Sequence, residues 1–215
     1  MCKPYEVLDP RPIAASAPYT YFLPDTELID AIGEGDLVKA VFQAVPPSET
    51  YDAERMWIEI TSAQDDWLQG TLASNPADMP KLPRGSIIRL PRSHVIDVVF
   101  RNPDKKPPLS KQPSREYWER CLVDRCVLDG DMKVGYICRE EPDMTKEDDR
   151  FPDSGWRIRG DTRGKSAEEL ASREIAYVAL GAVLNKDDTW LHLIDEPIGA
   201  AFEKNFETGM FLRET

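Results

Sequence analysis

The residues best equipped for chemistry lie between Arg139 and Arg157. Seven carboxylates (Glu140, Glu141, Asp143, Glu147, Asp148, Asp149, Asp153) stand against three bases in positions 139–153. Such a cluster suits three roles: a docking surface for a basic partner, a carboxylate site for a divalent cation, or a solvated loop. The spacing of a calcium-binding loop, D-x-[DN]-x-[DN]-G, is absent. The segment runs into Asp153-Ser154-Gly155-Trp156. Asp and Ser favour a local turn bonded to backbone amides, and Gly allows close approach of the chain. Trp then supplies a large area to bury and one N–H to satisfy. Two roles stay open for this motif: a turn that anchors a strand in the core, or an interface anchor in which Trp156 is flanked by Arg157 and Arg159.

Other chemistry is poorly supported. The only two histidines, His94 and His192, have no second histidine at ligand spacing and no G-x-S-x-G nucleophile motif to serve. Gly33-Glu34-Gly35 leads into a strand pattern rather than a helix, so the anion-binding helix terminus of a nucleotide site is missing. Of the cysteines, Cys121 and Cys126 are four residues apart in between, but Cys138 and Cys2 stand alone, which does not make the two ligand pairs of a zinc site. The expectation is no catalytic residue, no cofactor and no metal, with the thiols reduced.

The elements that would position the acidic segment follow from the pattern around it. Leu122–Leu128 and Lys133–Arg139 predict two strands paired across a turn at Asp129-Gly130-Asp131, and a third strand begins at Gly155. Ser166-Ala167-Glu168-Glu169 has the form of a helix-capping box. Ile175–Leu180 has strand composition, Ile198–Phe202 completes the core, and the tail from Glu207 is expected to be loosely held. In the N-terminal half, Pro- and aromatic-rich residues 1–24 predict an extended arm, and Asp25 caps a short helix. Alternating apolar residues then predict five short strands: 38–45, 55–61, 67–72, 86–90 and 94–100. Residues 102–114 concentrate four prolines and three lysines and form the best linker. The organisation expected is α+β: an N-terminal antiparallel, barrel-like β module over 1–104, a linker at 105–114, and a C-terminal sheet with short helices over 115–215.

Composition narrows the partners. Across 215 residues the formal charge is −12, which disfavours nucleic acid and anionic membranes and favours a basic protein partner. The N-terminus has no apolar signal core, and the longest apolar run, Ile175 to Leu184, is too short to span a bilayer. A cytoplasmic location is expected.

Three ordered motifs carry a family resemblance. Val134-Gly135-Tyr136-Ile137-Cys138-Arg139-Glu140-Glu141-Pro142, Asp153-Ser154-Gly155-Trp156-Arg157 with Gly160-Asp161, and Asp195-Glu196-Pro197-Ile198-Gly199-Ala200-Ala201-Phe202-Glu203 together resemble the immunity-protein 33 family, also filed as domain-of-unknown-function family 2185. The resemblance covers roughly residues 117–205. Met56-Trp57-Ile58-Glu59-Ile60, Gly70–Pro76 and Gly85-Ser86-Ile87-Ile88 resemble, more weakly, domain-of-unknown-function family 2314 over residues 36–100. The first resemblance implies a non-enzymatic protein that neutralises a bacterial toxin by direct binding. The contact residues it suggests are Arg139, Glu140, Glu141, Asp148, Asp149, Asp153, Ser154, Trp156 and Arg157. The alternative is a scaffold, or a module holding a peptide or small molecule in the N-terminal half.

Overall fold

The computed structural model describes residues 4–48, 50–51, 53–108, 115–144 and 148–214. Cys2, Glu147 and residues 109–114 of the expected linker lie outside the described residues. The chain separates into two compact units, Met1–Ser16 with Tyr21–Ser114, and Ala17–Thr20 with Arg115–Thr215. Among the described residues no helix is long and apolar enough to cross a membrane.

The first unit is a curled, barrel-like antiparallel sheet, as the alternation predicts. Its strands are β1 (Tyr5–Val7), β2 (Leu37–Ala44), β3 (Glu54–Gln64), β4 (Trp67–Leu72), β5 (Ile87–Pro91) and β6 (Asp97–Val99), in the order β1-β2-β3-β4-β5, with β6 also on β2. Val38, Ala40 and Phe42 of β2 face Met56, Ile58 and Ile60 of β3, and Leu68, Leu72, Ile88 and Leu90 close the same core. The register of β3 on β4 shifts between Ile60 and Ser62. Beside it a Cβ on Gly70 would lie 2.2 Å from the Glu59 carbonyl oxygen, so only glycine fits there.

Two expectations for this half are corrected. The arm is not extended throughout: it contains β1 and a helix, α1 (Arg11–Ser16). Pro10 and Pro12 do not prevent that helix, because proline is tolerated in a first turn whose amides have no intrahelical partner. The strand expected over 94–100 is shortened to β6, because Arg92–His94 forms a 3-10 turn. That turn lets the Arg92 guanidinium reach the carbonyls of Ile29 (2.8 Å) and Ile32 (3.3 Å) at the end of α2 (Thr26–Asp30). A cation there satisfies carbonyls that the helix leaves open.

In the second unit the strands are β7 (Arg120–Asp124), β8 (Val134–Arg139), β9 (Asp153–Gly160), β10 (Ile175–Ala179), β11 (Ala201–Lys204) and β12 (Phe211–Arg213), ordered β10-β7-β9-β8-β11-β12. All neighbours are antiparallel except β7 and β9, which are parallel. One face packs Cys121, Val123, Ile137, Trp156, Ile158 and Phe202 against α5 (Leu180–Leu184) and the turn carrying Trp190, Leu193 and Ile194. The capping box forms as expected at α4 (Ala167–Ala171), with Ser166 and Glu169 each bonding the other's amide.

The hairpin expected across Asp129-Gly130-Asp131 does not form. Arg125–Leu128 is a helical turn, α3, and Gly130 ends it in the left-handed region (φ 84°), its N–H donating to the Val127 carbonyl at 3.1 Å. Asp-Gly therefore acts as a helix C-cap. β9 is buried along nearly its whole length, and such a strand is satisfied only with partners on both edges. It takes the place between β7 and β8. The tail also departs from expectation, since β12 pairs with β11. Asn205 makes that return: its side chain accepts from the amides of Glu207 (2.9 Å) and Thr208 (3.1 Å), and Gly209 supplies a positive φ of 75°.

Candidate functional site

The acidic segment joins the end of β8 to the start of β9, and the chain is closed at its base. The Glu140 N–H donates to the Gly155 carbonyl at 2.9 Å. Gly155 has φ 81°, and a Cβ there would lie 2.1 Å from the Glu140 carbonyl oxygen. The glycine of the motif is thus required twice, by conformation and by space.

Around this base the motif residues form one buried polar network. Asp153 accepts from the Gly155 N–H (3.0 Å) and the Met144 N–H (3.2 Å), and its two oxygens take Nη1 (3.0 Å) and Nη2 (2.9 Å) of Arg157. This planar, two-point pair is the strong form of an ion pair. Arg157 also reaches Asp143 Oδ1 at 2.6 Å and Glu140 Oε2 at 3.2 Å. Ser154 Oγ donates to the Arg120 carbonyl at 2.6 Å and accepts from the Trp156 N–H at 3.2 Å. Trp156 is 0% exposed, its indole N–H donating to the Ile194 carbonyl (3.2 Å) and its ring 5.6 Å from that of Trp190. Arg139 packs over Trp156 and bonds the carbonyls of Ser154 (3.1 Å) and Glu196 (2.7 Å). Asp149 is held by Arg120 Nε and Nη2 at 2.7 and 3.0 Å.

The nine sequence candidates therefore fall into two groups. Asp153, Ser154, Trp156 and Arg157 are buried, and Arg139 and Asp149 are partly buried within the network. Glu140, Glu141 and Asp148 are exposed, together with Asp143, which the candidate set lacked. On the sheet face away from the core, a groove of about 250 Å³ has Leu122 and Ile175 beside Arg157 and Arg159, with Glu140, Asp143 and Met144 at its rim. Sequence reasoning missed Asp124, which is fully buried at the end of β7. Its carboxylate accepts from the Gly160 N–H (3.0 Å) and Arg173 (2.9 Å). Arg159 Nε approaches its other oxygen at 2.8 Å as an ion pair, outside hydrogen-bond alignment. The alternating pattern of β7 gave no sign that its polar terminal residue would be interior.

Burial would raise the Asp153 carboxyl, but Arg157 and the two amides hold it below the usual carboxylate range. Asp187 behaves alike: burial opposes its charge, yet Thr189, the Val134 N–H and Lys204 keep its pKa low. Both folded values lie below the unfolded one, so the stability these groups contribute is present above about pH 4 and lost as the pH falls through the folded pKa. The urea midpoint is expected to hold between pH 7 and 5 and to drop below about pH 4. A midpoint that rose on acidification would contradict this account.

The remaining chemical candidates are not assembled into a site. Ser93 Oγ lies 3.2 Å from His94 Nδ1, but Asp9 is engaged by Arg11. Among the described residues neither histidine hydrogen-bonds a carboxylate, and no group of three or more His, Cys, Asp or Glu side chains is placed to hold a metal ion. Cys121 is buried, which pushes its thiol pKa up, and Cys126 and Cys138 are raised likewise; none is activated as a nucleophile.

No curated protein and no solved structure matches the chain significantly. Residues 16–107 match the family model of an uncharacterized protein conserved in bacteria (DUF2314). Residues 121–215, which contain the whole acidic segment and all of its buried network but Arg120, match the family model of the immunity protein Imm33 domain.

Proposed function

We propose that the protein is a cytoplasmic, non-enzymatic immunity-type protein that neutralises a bacterial toxin by direct binding, and that its partner surface is the acidic segment after β8. The observation that carries the reading is the Imm33 match over residues 121–215. The exposed carboxylates of Glu140, Glu141, Asp143 and Asp148 support a basic partner, as does the net charge of −12. Buried Trp156 and Arg157 would hold the loop in shape, and the exposed acids would make contact. Charges at such a rim chiefly speed association and confer salt dependence.

The test begins with capture of the tagged protein's partner from its native cytoplasm at low salt. A stoichiometric basic protein whose activity is quenched by an equimolar amount of this chain is the expected result. Glu141 and Asp148 are exposed, so the double variant Glu141→Lys/Asp148→Lys should fold normally. It is expected to bind that partner at least about tenfold more weakly, mainly through a slower on-rate. Unchanged association kinetics would remove the acidic segment from the interface.

A second reading is favoured by a cleft of about 530 Å³ in the first unit, lined mainly by apolar residues including Phe22, Leu28, Val98 and Phe100. Such a concave, apolar site suits a small ligand. If no partner is captured, a compound that saturably raises the melting temperature of the full chain would place this reading first.

A further inference from the structure

The second compact unit contains four residues from far upstream, Ala17–Thr20. They form a β-turn closed by the Thr20 N–H on the Ala17 carbonyl at 3.1 Å. Pro18 occupies the second position, where its fixed φ preorganises the turn. The turn is held as a ligand is held. The Tyr19 N–H donates to Asn185 Oδ1 (2.9 Å), and Asn185 Nδ2 donates to Thr20 Oγ1 (2.7 Å). One side-chain amide thus reads backbone and side chain of successive residues.

The Tyr19 hydroxyl donates to Asp188 Oδ2 at 2.8 Å, and its ring meets Tyr117 edge-on with centroids 6.0 Å apart. Burial and then Asp188 push the Tyr19 hydroxyl up to about 12. Gly181 lies beneath: a Cβ there would come within 2.6 Å of the Tyr19 carbonyl oxygen and 3.0 Å of Thr20 Cγ2. Asn185, the C-cap of α5, follows Gly181 by four residues and donates its N–H to the Gly181 carbonyl at 3.0 Å, so the two lie on one side of the helix. Leu180, Val183 and Leu184 of the same helix are buried in the core.

We propose that Gly181, Asn185, Asp188 and Tyr117 form a docking groove for a Pro-Tyr turn, filled in this chain by its own residues 17–20. The occupant comes from the stretch that matches DUF2314, and three of the four groove residues from the stretch that matches Imm33. The C-terminal unit is therefore completed by four residues from the stretch that matches the N-terminal family model. This inference does not depend on what the acidic segment binds.

The test uses the full-length chain and a fluorescent synthetic peptide with the sequence of residues 14–23. In the variant Tyr19→Ala/Thr20→Ala the internal turn loses its side-chain anchors on Asp188, Tyr117 and Asn185 and keeps only a backbone bond, so the groove is expected to open. The peptide is expected to bind this variant saturably and to bind the unaltered chain at least tenfold more weakly. Adding Asn185→Ala to the variant should abolish binding. Failure to bind the opened variant, equal binding to both chains, or indifference to Asn185→Ala would each overturn the proposal. Should the double variant not fold, Tyr19→Phe removes only the hydroxyl. In that chain faster amide hydrogen exchange at Ala17, Tyr19, Thr20 and Asn185, with strands β2–β4 unchanged, is the expected result, and unaltered exchange at those positions would overturn it.

Discussion

Replacing Trp156 with alanine is expected to destabilise the C-terminal unit by about 3–5 kcal/mol, the usual range for truncating a large, fully buried aromatic. Nothing of the side chain is exposed, so the cost is lost packing and a cavity beside Trp190. The Ile194 carbonyl also loses its donor inside the core, and an unsatisfied buried acceptor adds to the loss. Trp156→Phe keeps most of the buried area and forfeits the hydrogen bond, so its loss should be distinctly smaller. Chemical unfolding followed by far-ultraviolet circular dichroism is the suitable measurement, because indole fluorescence changes with the substitution itself. The proposed division of labour makes a further demand: Trp156→Phe should retain partner affinity to within about twofold. A folded Trp156→Phe protein that had lost its partner would show that the indole acts in contact after all.

Removing Arg157 is the second large effect. Arg157→Met is expected to cost about 3–5 kcal/mol, the range for leaving one member of a buried ion pair alone. The group left behind is Asp153, whose side chain is 1% exposed and keeps only the Gly155 and Met144 amides. Glu140 and Asp143, at 59% and 74% exposure, are well solvated and contribute little to that figure. With the guanidinium gone, burial dominates the Asp153 carboxyl and raises its pKa. The penalty of Arg157→Met should therefore shrink as the pH falls, whereas a packing defect would be insensitive to pH. The double variant Asp153→Asn/Arg157→Met should be more stable than Arg157→Met alone near neutral pH, because no charge is left stranded. Equal stability of the two variants would show that the pair is not the source of the loss.

How far these residues could be understood before folding depended on whether the signal was local. The alternation of Val38, Ala40 and Phe42 against Met56, Ile58 and Ile60 foretold a curled antiparallel sheet, because each strand carries its own period of two. The capping box at Ser166 was likewise complete within four residues. The Asp129-Gly130 step was ambiguous for a physical reason: a positive φ at glycine ends a helix as readily as it turns a hairpin. Only the burial of β9 decided between the two. For the candidate site, the motif Asp153–Trp156 could be recognised, but its direction could not. Whether Trp156 faces the core or a partner depends on Trp190 and Ile194, more than thirty residues downstream. The docking of Tyr19 on Asn185, 166 residues away, left no local trace.

The closure of the chain at Glu140 and Gly155 also bears on how this protein can diverge. Because the ends of the acidic segment are fixed by backbone bonds and a buried ion pair, the fold does not depend on the side chains of Glu141 or Asp148. Lengthening a loop with fixed ends is cheap as well, since each doubling costs only about 0.6 kcal/mol. Substitutions and insertions can therefore accumulate in this segment at little cost to the core, so under the proposed function a lineage carrying this scaffold could exchange one partner for another while the rest of the sequence is kept.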